Sequence, residues 1–509
     1  MVAAMRSLLS GFGWNAVRQG FVVVAALLVF PVAIHRMGLS EFGTFTLATS
    51  AVLLLQVLDG GMVNAAARYF GISVGAADGH LLSRQFVTIL LVVLVISCSL
   101  GAVVFLSAPY LVDAFSLGPA LRPAGVFAAR VVAILVPLGM VQSVQMALLQ
   151  AHDRFRSMAL IVMACQVAYV PAVLAFVHHS GGVQTMMRLA LIQQIVIVAL
   201  LVAAIGPLVS LREVRLLAWA EIREIFGYSV QVQMFTLFGL VNSQADALII
   251  GLLLPVRYVG IYGIGANVAT QLRSVPLNLG GPLVSRLARI HGRDGDDLTF
   301  SEYRRLQRFW VILSTGFSAV VLGSAAFQIE AWVGRRFLDA GVVCVILTLG
   351  NSINLLTMPL TVYLQVLGKP RIEVRYGLIA AALNLGLTLA FSWLGLYAIV
   401  LATTLGQMFG SVALMHLARA GVEREIPSFL RPIPWLAAAA AAITAAAAAF
   451  GLRVIAPWHG LPGLVLVSLS WLPATVAFAS VLIGPRCLWL NVLSSAKTRS
   501  IRPLVDFVG

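Results

Sequence analysis

Apolar runs of about twenty residues, the length a helix needs to cross a bilayer core of ~30 Å, recur along the whole 509-residue chain. Lipid offers backbone amides no partner, so a crossing segment must be a helix or part of a closed barrel. A barrel would show short alternating runs, whereas these are continuous. The expected fold class is therefore all-α, a polytopic membrane protein of about 14 transmembrane helices. The spans are placed at 14–34, 44–67, 86–108, 126–150, 157–178, 187–206, 229–253, 259–283, 308–329, 341–366, 373–393, 396–417, 433–451 and 461–484. Charged residues make up 10% of the chain, against about 25% in an average soluble domain. That is too little to coat a surface facing water.

The net charge is +15, but its placement argues against nucleic acid. Only Lys369 and Lys497 are lysines, and the arginines sit in short loops and at span ends. With the N-terminus inside, the inside segments hold 24 of the 34 Lys and Arg residues and the outside segments eight. That bias predicts both termini on the cytoplasmic side. The run 14–34 contains Arg18 and lacks a small-residue exit, so it reads as an uncleaved first helix. Of the four cysteines, Cys98, Cys165 and Cys344 fall in apolar spans and Cys487 in the tail, with no metal-ligand spacing.

Internal order is visible too. LQAHDRFR (149–156) is echoed by LQVLGKPR (364–371), AGV recurs at 124–126 and 340–342, and EFGTFTLA (41–48) matches YVGIYGIG (258–265) in its Gly-x-aromatic core. The three offsets, 215, 216 and 217 residues, are nearly constant and point to duplication. Because six is an even number of helices, the two repeats are parallel. The expected organisation is an N-terminal six-helix lobe (1–206), a linker (207–228), a C-terminal six-helix lobe (229–418), and two further helices with a basic cytoplasmic tail (419–509). In the linker, Leu211, Val214, Leu217, Ile222 and Ile225 recur at helical spacing opposite charged residues, as in an amphipathic helix on the cytoplasmic surface. The thirteenth span is mostly alanine, which suits close helix contact.

Ionisable groups inside spans are costly and mark a cavity or a partner. Arg18, Asp59 and Arg273 fall in the cytoplasmic half at broadly similar depths. Two readings stand. In one, the arginines meet an anionic headgroup in a cavity between lobes, because the guanidinium donates in pairs and stays charged when desolvated. In the other, Arg18 or Arg273 pairs with Asp59 to lock neighbouring helices; Arg18 has the further option of snorkelling to the interface. Asn267 and Gln271, one turn apart, share a helix face beside Arg273. Asp59 and Asp246 are the carboxylates well inside spans and so the candidates for ion coupling. No P-loop, GxSxG, HExxH or dinucleotide fingerprint stands in a suitable setting. No catalytic constellation, metal site or cofactor is expected.

Four segments carry a family resemblance: LSEFGTFTLA after span one, LDGGMVNAAARYFG with Asp59 and Arg68, ADALIIGLLLPVRYVGIYGIGANV with Asp246 and Tyr262, and YLQVLGKPR closing span ten. In these the chain resembles the polysaccharide-transporter branch of the multidrug/oligosaccharidyl-lipid/polysaccharide exporter superfamily, which includes the O-antigen flippases. The resemblance implies a flippase of the inner (cytoplasmic) membrane, moving a polyprenyl-diphosphate-linked oligosaccharide by alternating access for surface polysaccharide biosynthesis. It implies arginines in a central cavity, a role matched by helix and depth in Arg18 and Arg273. The partners expected are the lipid-linked substrate, membrane lipids, and a polysaccharide polymerase with chain-length proteins. Two other classes compete. A drug or cation antiporter would cycle protons or Na⁺ on Asp59 and Asp246. A membrane polymerase or glycosyltransferase would need a large outside loop or a cytoplasmic acidic motif, and the sequence has neither.

Overall fold

The computed structural model describes residues 2–483 apart from 60–61, 178–181, 210–215, 220, 224, 226–243, 278–279 and 423. The basic tail with Cys487, His178 and His179, and most of the expected seventh span and linker lie outside the described residues. The described residues form helices and connecting turns and contain no strand. They fall into two compact units, Met1–Gly260 and Ile261–Gly509.

The first unit begins with α1 (Val2–Met37), α2 (Leu39–Gln56), α3 (Met62–Gly75) and α4 (Gly79–Ala114). It continues with α5 (Arg122–Ala151), α6 (Phe155–Phe176), α7 (Gly182–Ile205) and the short α8 (Gln244–Leu253). α9 (Arg257–Leu277) runs into the second unit. There follow α10 (Gly280–Val333), α11 (Leu338–Leu356), α12 (Met358–Val366), α13 (Pro370–Phe391), α14 (Leu396–Gly421), α15 (Trp435–Ile455), α16 (Gly460–Ser468) and α17 (Trp471–Ile483). Twelve segments among the described residues are long and apolar enough to cross a membrane, which makes this a multi-pass membrane protein. Of the other two expected spans, 259–283 appears as the more polar α9, and 229–253 is described only from Gln244, as α8.

Some expected spans are interrupted. Span two is not one helix: α2 ends at Gln56, a single 3-10 turn covers Val57–Asp59, and α3 starts at Met62. The Asp59 carboxylate accepts the Val63 amide at 3.0 Å, satisfying one of the orphan donors at the new helix start. Span ten is likewise divided, α11 ending before Thr357 and α12 opening with Pro359 in its first turn. α10 changes course at Gly295, where φ is +78°.

The two Leu-Gln repeat segments adopt one helix end, bond for bond. In the first, Arg154 N–H donates to Leu149 O and Asp153 N–H to Gln150 O. In the second, Lys369 N–H donates to Leu364 O and Gly368 N–H to Gln365 O. Asp153 (φ +55°) and Gly368 (φ +65°) occupy the same left-handed position. This is the Schellman stop, and the repeated Leu-Gln followed by a basic residue is its signature here.

Within the first unit, helices meet through small residues and amides. A Cβ on Gly101 would lie 2.4 Å from Ala133 O, so α4 and α5 touch backbone to backbone there. Gly43 and Gly260, equated by the repeat, face each other: a Cβ on Gly43 would lie 2.9 Å from Gly260 N. Gln194 Nε2 donates to Gln142 Oε1 at 2.5 Å and Gln193 Nε2 to Gln166 Oε1 at 2.7 Å, binding α7 to α5 and α6. The described part of the 207–228 segment lies against α4, where Leu217 N–H donates to Thr88 Oγ1 at 3.0 Å. Leu217 and Ile225 are buried there, and Trp219 is exposed.

In the second unit, α15 buries Ala437, Ala441, Ala445 and Ala449, one per turn. Their small side chains bring the backbone so near α10 that a Cβ on Gly323 would lie 2.2 Å from Ala442 O. Association in lipid relies on such van der Waals contact. At one end of the same pair, Glu330 bridges Arg335 at 2.8 Å and Arg453 at 3.4 Å, tying α10 to α15.

Candidate functional site

The six site residues read from the sequence are divided between the units. Arg18, Asp59 and Asp246 are in the first; Asn267, Gln271 and Arg273 are in the second. Arg18 is half-buried on α1, with its Nε shielded from solvent and unpartnered among the described residues. Asp59 is buried at the break in span two as the cap of α3. Asp246 is buried on α8. Asn267 and Gln271 are half-buried on α9, a turn apart, with Arg273 two residues further on.

Arg273 is the best-defined of them. Its Nη2 donates to Asn354 Oδ1 at 2.6 Å, and Asn354 Nδ2 donates to Tyr376 Oη at 2.8 Å. A relay of three polar side chains thus links α9, α11 and α13. The guanidinium, a cation, is held by a neutral amide, and its Nε is shielded with no partner among the described residues. Leaving a buried donor unmade costs free energy. Arg273 also borders a narrow recess with Phe317, Ser318, Thr348, Asn351 and Ser352.

Nearby on α13, Glu373 lies three residues before Tyr376 and is buried, its carboxylate receiving Gln365 Nε2 at 3.2 Å. Sequence reading passed over Glu373 because it stands at the very start of span eleven, and missed Asn354 and Tyr376 because each is unremarkable alone. The only available signal was the i, i+3 spacing of Glu373 and Tyr376, which needs the fold to interpret. The first unit contributes a different feature. An apolar cavity of about 360 Å³ opens between α2, α4 and α5, walled by Leu47, Leu54, Val104, Leu111, Phe115 and Val132 among others. Among the described residues no group of three or more His, Cys, Asp or Glu side chains is placed to hold a metal ion.

A helical membrane bundle of this kind has counterparts among solved structures. The fold is similar to an inward closed structure of the lipid II flippase MurJ, with a TM-score of 0.73 at 9% identity, covering 93% of this chain and 98% of that one. It is also similar to an inward-facing multidrug resistance MATE family transporter of the MOP superfamily, with a TM-score of 0.66 at 12% identity and coverage of 78% and 94%. A MATE structure in a bent conformation gives 0.56 at 13% identity, covering 79% and 92%. No curated protein matches the chain in sequence. Residues 37–340 match the family described as polysaccharide biosynthesis protein, and the chain belongs to that family. The motif resemblance to the polysaccharide-transporter branch of the exporter superfamily therefore holds for family and for fold.

Proposed function

We propose that this protein is a flippase that carries a polyprenyl-diphosphate-linked oligosaccharide across the cytoplasmic membrane by alternating access, for surface polysaccharide biosynthesis. It is a carrier rather than an enzyme, and both its termini are cytoplasmic. The observation that carries this reading is the Arg273 relay: a shielded guanidinium, bonded to Asn354 at 2.6 Å and with Nε unpartnered among the described residues.

The chemistry follows from the cost of the cargo. A diphosphate cannot enter hydrocarbon without counter-charge and hydrogen-bond donors. A guanidinium supplies both in a planar fork that fits phosphate oxygens. Asn354 and Tyr376 hold that fork in orientation, with Asn267 and Gln271 offering amides for sugar hydroxyls along the same helix. Arg18 is the second cation of the path. Asp59 and Asp246 are the carboxylates available for ion coupling, and a membrane potential supplies about 2.3 kcal/mol per charge per 100 mV. The family's description and the fold shared with a lipid II flippase support this assignment. A polymerase and chain-length proteins are the partners it would work beside.

The test is replacement of Arg273 in cells. Arg273→Ala should abolish the surface polysaccharide and leave its lipid-linked repeat unit on the cytoplasmic leaflet, with the protein still inserted at normal abundance. Arg273→Lys, which keeps the charge and loses the fork, should export at an intermediate level. Normal export by the alanine variant would remove Arg273 from the substrate path.

A further inference from the structure

At the arginine-rich end of the second unit a separate hollow of about 910 Å³ opens between α10, the end of α14 and the loop that leads to α15. Phe300, Arg304, Gln307 and Arg308 face it from α10, spaced as one face of a helix, and Arg419, Glu425 and Arg431 close it. Four guanidiniums thus surround one described carboxylate. Among the described residues no ion pair is formed by Arg304, Arg308 or Arg431, and all three are exposed. Like charges gathered round a concavity focus a positive potential that an anion relieves.

The frame that holds them is built. The loop is anchored by Ile426, Phe429 and Ile433, all buried in the core with residues of α10, α11, α12 and α14. Arg419 Nε donates to Ile426 O at 3.0 Å, and Arg424 is paired with Asp297 at 2.5 Å while lying over the Phe300 ring. Gln307, 3% exposed, is fixed in this frame by its Nε2, which donates to Leu356 O at 2.8 Å, and its Oε1 has no partner among the described residues. Several guanidiniums, each able to donate in pairs, gathered round one concavity suit the oxygens of a phosphate ester.

We infer that this hollow is a binding site for a phosphate ester, distinct from the Arg273 relay, taken from a lipid headgroup such as that of phosphatidylglycerol or from a soluble phosphate ester. With the orientation proposed above it lies at the cytoplasmic interface, where anionic headgroups are held within a Debye length of the surface.

Binding to the full-length purified protein tests this. Native mass spectrometry would follow phosphatidylglycerol, with zwitterionic phosphatidylcholine as the reference lipid, and a parallel titration would use glycerol 3-phosphate. R304Q/R308Q/R431Q is compared with R154Q/R223Q/R371Q, which removes the same charge from exposed arginines elsewhere. The hollow variant should bind phosphatidylglycerol at least about tenfold more weakly, as loss of charge-assisted bonds implies, and the matched variant should stay within about twofold of wild type. The same pattern with glycerol 3-phosphate and not with the lipid would assign the site to a soluble ester. Equal losses in both triple variants, or unchanged binding of both ligands to R304Q/R308Q/R431Q, would overturn the site. If the triple variant aggregates, the single variants R304Q and R308Q are read in the same way.

Discussion

Asp59 shows how one residue can answer two questions at once. Its sequence context, Asp-Gly-Gly between apolar runs, has the composition of a helix interruption, yet hydropathy is continuous on both sides and reads as a single span. The structure places its carboxylate on the Val63 amide at 3.0 Å, which is a capping role. Asparagine caps as well as aspartate does, whereas alanine forfeits about 0.5–2 kcal/mol. Asp59→Ala should therefore lower the melting temperature in detergent, and Asp59→Asn should leave it near wild type. Export is the second readout: if Asp59 also couples an ion, Asp59→Asn loses transport while keeping its stability. Arg273 lies at the other extreme of legibility. Its cost inside a span flagged it from the sequence, but Asn354 and Tyr376, 81 residues and more away, could not be named as its partners. Which helices lie side by side is not encoded in hydropathy.

At the level of elements, lengths and ends were readable and breaks were not. The Schellman stops at Asp153 and Gly368 stand where the repeated Leu-Gln segments announced a boundary. The divided helices at Val57–Asp59 and Thr357 escaped notice because apolar residues continue through both. Alanine content correctly marked α15 as a close-packing helix, but its partner came only from the fold. That contact is measurable. Gly323→Ala would set a methyl 2.2 Å from Ala442 O, a backbone atom that cannot rotate away, so the helices must separate. Overpacking of this kind costs about 1–3 kcal/mol, and the expected result is a lower melting temperature, partly restored by no substitution at the Ala442 side chain. An unchanged melt would mean that α10 and α15 are less intimate than described.

For the whole molecule, the count of basic residues per loop predicts an orientation that the fold itself does not assign. α13 offers a direct measurement, since Arg371 and Trp393 are exposed at and just beyond its opposite ends. In spheroplasts of a background lacking native cysteines, Trp393→Cys should react with a membrane-impermeant maleimide. Arg371→Cys should react only after the membrane is opened. The reverse pattern would invert the whole topology, and with it the side on which the hollow around Arg304 and Arg308 meets its ligand.

The alanine stripe of α15 also has a consequence for biogenesis. Leu, Ile, Val and Phe are the residues that draw a nascent segment from the translocon into lipid, and between Ala437 and Ala449 this helix has only Ile443 from that group. A segment so weakly attracted to hydrocarbon gains its place by contact with a helix already there. α10 precedes it in synthesis and presents Gly323 to it. The packing that holds the finished bundle together would then also act as a checkpoint in its assembly, committing α15 to the membrane once α10 is waiting for it.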